Sequence, residues 1–84
     1  MENGKYIVLN STSIIIFDAT LSHKDIAAAF EGSEVTSAGF ILTDVDPNSN
    51  EVRIQCYGKS VTLGGLPADP ENDARLAKFA IGKY

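Results

Sequence analysis

His23 and Cys56 are the side chains of this sequence with the most versatile chemistry, since one can act as a general base and the other as a nucleophile. A neutral His23 beside Ser22 or Asp25 has the chemistry to accept a proton from a small ligand or substrate. A covalent mechanism also needs Cys56 or a serine close to the imidazole, and no nucleophile-elbow pattern is present. Cys56 lies on the apolar side of an alternating segment, where a cysteine usually behaves as a small buried hydrophobe. We therefore expect structural roles for both residues and no catalytic site.

Two short segments imitate ligand-binding loops. Residues 58–60, Gly-Lys-Ser, match the end of a phosphate-binding loop, but Arg53 stands where that loop needs its first glycine. Residues 44–50 begin like a calcium loop, but Ser49 and Gln55 replace its required glycine and its bidentate glutamate. Both segments are therefore predicted to be turns, and the sequence predicts neither a cofactor nor a metal site.

The length and the charge of the chain narrow the classes of function. Its 84 residues are enough for one domain, residues 1–84, with a small hydrophobic core. Because such a core supplies only about 3–5 kcal/mol of net stability, a homodimer is a candidate assembly. The net charge of −4 at pH 7 repels phosphate, which disfavours nucleic acid as a partner.

The amino-terminal residues give no sign of export. Residues 1–5 lack a basic region followed by a long apolar run, so the sequence predicts no signal peptide. No apolar stretch approaches the roughly 20 residues of a membrane span. We therefore expect a cytoplasmic protein without a membrane partner.

Both predicted helices begin at clear capping signals. Ser22 can accept from the backbone N–H of Asp25, and this pattern predicts a helix over residues 23–31. Asp69 followed by Pro70 predicts the start of a second helix, because proline is best tolerated at the first helical position.

Five segments have the composition of β-strands, being rich in β-branched and aromatic residues and bounded by turn formers. They comprise residues 5–9, 13–18, 38–43, 51–57 and 60–63. With the two helices, the predicted order is ββαβββα. We expect an α+β fold, with a mostly antiparallel sheet of about five strands and both helices packed on one face. The unbroken apolar run of residues 14–17 indicates a central strand that is covered on both faces.

A partner-binding surface is predicted around the fourth of these strands. Its alternation places Arg53, Gln55 and Tyr57 on one side and apolar residues on the other. The irregular segment after it contains Leu66, which is unusually apolar for a solvated loop and either contacts a partner or plugs the edge of the core. In a partner-binding role, Tyr57 and Leu66 are the buried anchors, and Arg53 and Lys59 form the charged rim.

These observations favour a small, non-catalytic protein-interaction module, with a protein or a second copy of the chain as its partner. The first alternative is a small-ligand-binding protein or minor enzyme that uses His23. The second is an acidic inhibitor that mimics nucleic acid through its carboxylates, which are Asp44, Asp46, Glu51, Asp69, Glu71 and Asp73.

Four blocks of the chain carry a resemblance that covers most of its length. Residues 5–9 (KYIVL), 21–23 (LSH), 37–40 (SAGF) and 57–64 (YGKSVTLG) together resemble small uncharacterised bacterial proteins, some of which travel on phages and other mobile elements. The resemblance implies no activity, cofactor or site residue.

Overall fold

The computed structural model describes residues 2–81 of the chain. The elements follow one another as β1 (Glu2–Leu9), β2 (Ser13–Asp18), α1 (His23–Ala29), β3 (Val35–Val45), β4 (Val52–Tyr57), β5 (Lys59–Ser60), β6 (Leu66–Pro67) and α2 (Pro70–Ile81). Strands β1 to β4 form an antiparallel sheet in the order β2-β1-β3-β4, and β5 pairs with β6 in a separate two-stranded ladder. The predicted α+β class and its antiparallel sheet are confirmed.

Strand β1 lies in the middle of the sheet and is buried on both sides. Tyr6 and Val8 point to one face and Ile7 and Leu9 to the other, as the period of two in a strand requires. We call the first the α2 face and the second the α1 face, after the helix that packs on each. The four side chains are almost fully excluded from solvent, so β1 is the hydrophobic centre of both layers.

The two helices cover different faces of the sheet. Helix α2 packs Ala74 and Ala77 on the α2 face, whereas α1 packs Ile26 and Ala27 on the α1 face. The sequence predicted both helices on a single face, and the structure separates them. The physical reason is that β1 is apolar on both sides, so each side needs its own cover.

The apolar run of residues 14–17 predicted a central strand. This prediction is wrong, because β2 lies at the edge of the sheet. It pairs with β1 alone, and Ile16 is 42% exposed. Its apolar side chains are nevertheless packed on both faces of the sheet, because Ile14 contacts the cluster of the α2 face while Ile15 and Phe17 contact that of the α1 face.

The predicted fifth strand is shorter than expected and forms a small hairpin. Strand β4 ends at Tyr57, and Gly58, with φ of +80°, redirects the chain into β5. Gly64 and Gly65 also have positive φ and close the turn to β6. This hairpin packs against β3 beyond the point where β4 stops, and Leu63 and Leu66 reach the cluster of the α1 face.

The capping signal of α1 is confirmed. Ser22 Oγ accepts from the backbone N–H of Asp25 at 3.1 Å, and Ser22 has the extended backbone of a cap residue. The helix ends at Ala29, two residues earlier than predicted, and Gly32 follows with φ of +96°.

Candidate functional site

The polar side of β4 faces in the same direction as α1. In the antiparallel register, Tyr57 lies opposite Phe40 and Arg53 lies opposite Asp44. Directly opposed residues share a face, so Arg53, Gln55 and Tyr57 all lie on the α1 face. The apolar side of β4 points to the α2 face, as the alternation predicts. Beyond the reach of α1 and the small hairpin, these polar residues remain exposed.

Tyr57 is the most prominent of these residues, because it is an exposed aromatic held in a fixed orientation. Its ring stacks on Phe40, with 5.8 Å between the centroids and 27° between the planes. Phe40 in turn makes an edge-to-face contact with His23, at 5.7 Å and 89°. Tyr57 is 42% exposed, so the stack ends at the protein surface. Such rings offer contact area with little conformational freedom to lose.

Gly58 permits this arrangement. A Cβ atom at this position would lie 3.0 Å from Cδ2 of Phe40, which is closer than ordinary van der Waals contact. Without a side chain, the backbone passes directly over the ring and leads from β4 into the small hairpin.

A pocket of about 390 Å³ opens beside the stacked rings. It is lined by Lys5, His23, Phe40, Gly58, Lys59, Val61 and Thr62. Val61 is 78% exposed, which is the largest exposed fraction among the bulky apolar residues of the described chain. We call the surface formed by Lys5, Phe40, Tyr57, Lys59 and Val61 the aromatic patch.

The aromatic patch carries positive charge on a protein whose net charge is −4. Lys5 Nζ donates to the backbone carbonyl of Leu21 at 2.9 Å, which fixes the ammonium group at the edge of the pocket. Lys59 lines the same pocket, and none of its described lining residues is acidic. The local potential therefore favours a negatively charged group, although the whole molecule repels one.

His23 forms the inner wall of the pocket. It is 3% exposed, and its Nε2–H donates to the backbone carbonyl of Gly39 at 2.8 Å. The imidazole is held between the edges of Phe17 and Phe40. Cys56 packs in the cluster of the α2 face, so the sheet separates the thiol from the imidazole. The geometry therefore does not form a histidine–cysteine pair.

The other predicted partner-binding residues, Arg53, Gln55 and Leu66, differ in their contacts and in their exposure to solvent. Arg53 forms an ion pair with Asp44 at 3.0 Å, and both side chains are substantially exposed. Gln55 is exposed beside Arg53 on the same face. Leu66 is partly buried and packs against the cluster of Ile7 and Leu9, which is the core-plugging position that the sequence left open.

The turn predicted for residues 58–60 is displaced, because the chain turns only after Ser60, whereas the second loop-like segment, residues 44–50, contains a turn as predicted. Lys59 and Ser60 form β5, and Ser60 Oγ accepts from the backbone N–H of Leu63 at 3.2 Å. At the other segment, Asp46 Oδ1 accepts from the backbone N–H of Asn48 at 2.9 Å, which is the local bond of an aspartate turn. Within residues 2–81, no group of three or more histidine, cysteine or acidic side chains is placed to hold a metal ion.

A second cluster of reactive residue types lies on the α2 face, in the core. We call Tyr6, Ser37, Cys56 and Asp73 the buried polar cluster. The Asp73 carboxylate is fully buried and accepts from the Tyr6 hydroxyl at 2.5 Å and from Ser37 Oγ at 2.8 Å. It also accepts from the backbone N–H of Asp69 at 2.8 Å. Asp73 therefore joins α2 to β1 and β3, and it lies too deep to contribute to an acidic surface.

Burial favours the protonated forms of the Tyr6 hydroxyl and the Cys56 thiol in this cluster. It raises the pKa of the Tyr6 hydroxyl, and the hydrogen bond to Asp73 raises it further, so the hydroxyl remains a donor. Burial and the nearby Asp73 raise the pKa of the Cys56 thiol to about 11. A protonated thiol in the core is a poor nucleophile.

Sequence reasoning identified Tyr57 and Lys59 but missed three members of the aromatic patch. Phe40 was assigned only to a strand, because its stacking on Tyr57 depends on a register between strands that the sequence does not display. Lys5 and Val61 join the patch through the same tertiary arrangement.

Comparison with known proteins identifies no family for this chain. The chain matches no protein-family model, no curated protein and no solved structure. In the described part of the chain, neither helix has the length and apolar composition needed to cross a membrane.

Replacing Tyr6 with phenylalanine should destabilise the fold. Tyr6→Phe removes one donor from the buried Asp73 carboxylate, and the expected loss is about 1.5–3 kcal/mol in the free energy of unfolding, measured in urea. Tyr57→Phe is the matched control, because it makes the same chemical change at an exposed ring and should stay within about 0.5 kcal/mol of the wild type. Equal effects of the two substitutions would contradict the role assigned to Asp73.

Alkaline pH should weaken the fold through Cys56. Its thiol has an ordinary pKa of 9.0 when unfolded and about 11 when folded, so only the unfolded chain releases this proton between those values. Stability is therefore complete below pH 9 and falls as the pH rises toward 11, by about 1 kcal/mol from this group at pH 10. Urea unfolding at pH 8 and pH 10 measures the fall. A Cys56→Ala variant should lose less stability over this interval, and an identical loss would show that the thiol is not responsible.

Proposed function

We propose that this protein is a small, non-catalytic, cytoplasmic interaction module that binds a protein partner through the aromatic patch. The observation that carries the proposal is the exposed Tyr57 ring, stacked on Phe40 at the edge of a pocket that two lysines line. Exposed aromatic residues in a fixed orientation, with cations beside them, are the features that concentrate binding energy in protein interfaces.

The apolar part of the surface supports an anchoring role. Val61 is 78% exposed and Tyr57 is 42% exposed, and the pocket beside them is large enough for an apolar side chain. Covering such groups releases about 25 cal/mol for each Å² of apolar surface removed from water. The hairpin that carries Val61 is tied to the core by Leu63 and Leu66, so the anchor has a firm support.

The charged part of the surface indicates the chemistry of the partner. Lys5 and Lys59 would attract carboxylates, while the net charge of −4 would repel the extended phosphate backbone of a nucleic acid. The partner that fits is a protein segment with an apolar side chain flanked by aspartate or glutamate. Arg53 and Gln55, farther along the same face, extend the polar rim.

The first experiment is a tagged pull-down from the lysate of the native host at low and high salt, with bound proteins identified by mass spectrometry. Tyr57→Ala should reduce the affinity for the retained partner by roughly tenfold or more, because it removes an aromatic anchor. Lys59→Glu should weaken binding mainly at low salt, because it reverses a charge at the rim.

Val45→Ala is the matched control, since Val45 is 53% exposed but lies at the far end of β3. It should bind as the wild type does, and circular dichroism should show that all variants are folded. Undiminished binding by folded Tyr57→Ala and Lys59→Glu proteins would refute the aromatic patch as the interface.

A small anionic ligand is a second candidate occupant, supported by the presence of His23, Lys5 and Lys59 in the lining of the same pocket. This function predicts a rise in melting temperature with small carboxylates or phosphates, and the rise should disappear in Lys59→Glu. A pull-down without any partner, together with such a rise, would favour the ligand over the protein. The absence of any rise would remove this candidate.

A further inference from the structure

Strand β2 has the sequence of an interior strand but the position of an edge strand. Its four central residues, 14–17, are three isoleucines and a phenylalanine. It pairs with β1 on one side, and no strand of residues 2–81 pairs with its other side. The backbone N–H and C=O groups along that side therefore have no strand partner among these residues.

The usual protections of an edge strand are missing from β2. Natural edges carry a lysine, a proline, an inward-pointing charge or a β-bulge that stops another strand from pairing. The interior of β2 contains none of these, and its register with β1 runs without a bulge from Ser13 to Asp18. The opposite edge of the sheet, β4, contains Arg53 and Gln55 and is continued by the small hairpin. The two edges therefore differ, and only β2 is shaped to receive a strand.

We propose that a second copy of this chain pairs with β2 in an antiparallel manner, so that two four-stranded sheets become one continuous sheet. A two-fold axis perpendicular to the sheet relates the copies, and opposed residues then share a face. Because opposed residues must share a face, the axis passes through a residue of β2 and not between two residues. With Ile15 on the axis, Ile14 lies opposite Ile16 of the second copy, and Ser13 lies opposite Phe17.

This register is complementary in both shape and charge. The exposed Ile16 gains an isoleucine from the second copy as its neighbour on the α2 face. Asp18, the only charged residue of β2, lies opposite Thr12 of the second copy, so no two carboxylates face each other. The same pairing covers the open backbone groups and turns β2 into the interior strand that its composition indicates. The inference is independent of the aromatic patch, since Tyr57 lies across the sheet on β4.

Sedimentation equilibrium of the full chain tests the assembly. The wild type should sediment at twice its chain mass of 9.0 kDa. Ile16→Lys should raise the dissociation constant of the dimer roughly tenfold or more, because it replaces a buried apolar contact in each copy with a charge. Val45→Lys is the matched control, since Val45 is also an exposed β-branched residue on the α2 face, and it should leave the dimer unchanged. A monomeric wild type, or an undiminished dimer in Ile16→Lys, would overturn the proposal.

Cysteine crosslinking tests the register, in a Cys56→Ala background that removes the native thiol. Ile15→Cys should form a disulfide between copies under mild oxidation, because the two residues face each other across the axis. Ile16→Cys should not, because its equivalents are displaced along the strands. Circular dichroism confirms that each variant is folded. Failure of the folded Ile15→Cys protein to crosslink would refute this pairing, even if a dimer were present.

Discussion

The buried Asp73 carboxylate is the constraint on which the rest of this structure depends. A charge in the core is costly unless hydrogen bonds replace its water. Three donors do so here: Tyr6 of β1, Ser37 of β3 and the backbone N–H of Asp69, which precedes α2. Its place in the first turn of α2 adds the favourable end of the helix dipole. Because two of these donors, Tyr6 and Ser37, are fixed on the central strands, α2 has one position in which the carboxylate is satisfied.

The fixed position of α2 determines which surfaces remain for function. Helix α2 covers the face of the sheet that contains the buried polar cluster, so the chemically versatile Cys56 is enclosed there. Within residues 2–81, the α1 face is covered by a seven-residue helix and the small hairpin, and this cover ends at Phe40 and Tyr57. The exposed aromatic stack and its lysines lie at the boundary of this cover. The proposed interface is thus a consequence of unequal helices on the two faces.

Signals between residues close in the sequence predicted most of the helices and strands. The features that differ from the prediction depend on contacts between residues far apart in the sequence. The cap at Ser22 and the alternation along β4 each depend on residues close in the chain, and both are found as predicted. The edge position of β2 depends on which strand neighbours β1, and the stacking of Tyr57 on Phe40 depends on a register between strands. The burial of Asp73 also could not be predicted from the sequence, because an aspartate in the first turn of a helix is equally typical of a solvated terminus.

Native-state hydrogen exchange, measured by NMR on the wild-type chain, tests the claim that Asp73 unites α2 with the sheet. If the carboxylate joins them, the slowest amides of α2 and those of β1 and β3 should report the same free energy of opening, because none can open without breaking the buried bonds. A distinctly lower free energy for the whole of α2, with the sheet still protected, would contradict the account. The helix would then be a separately opening layer, and its position would need another explanation.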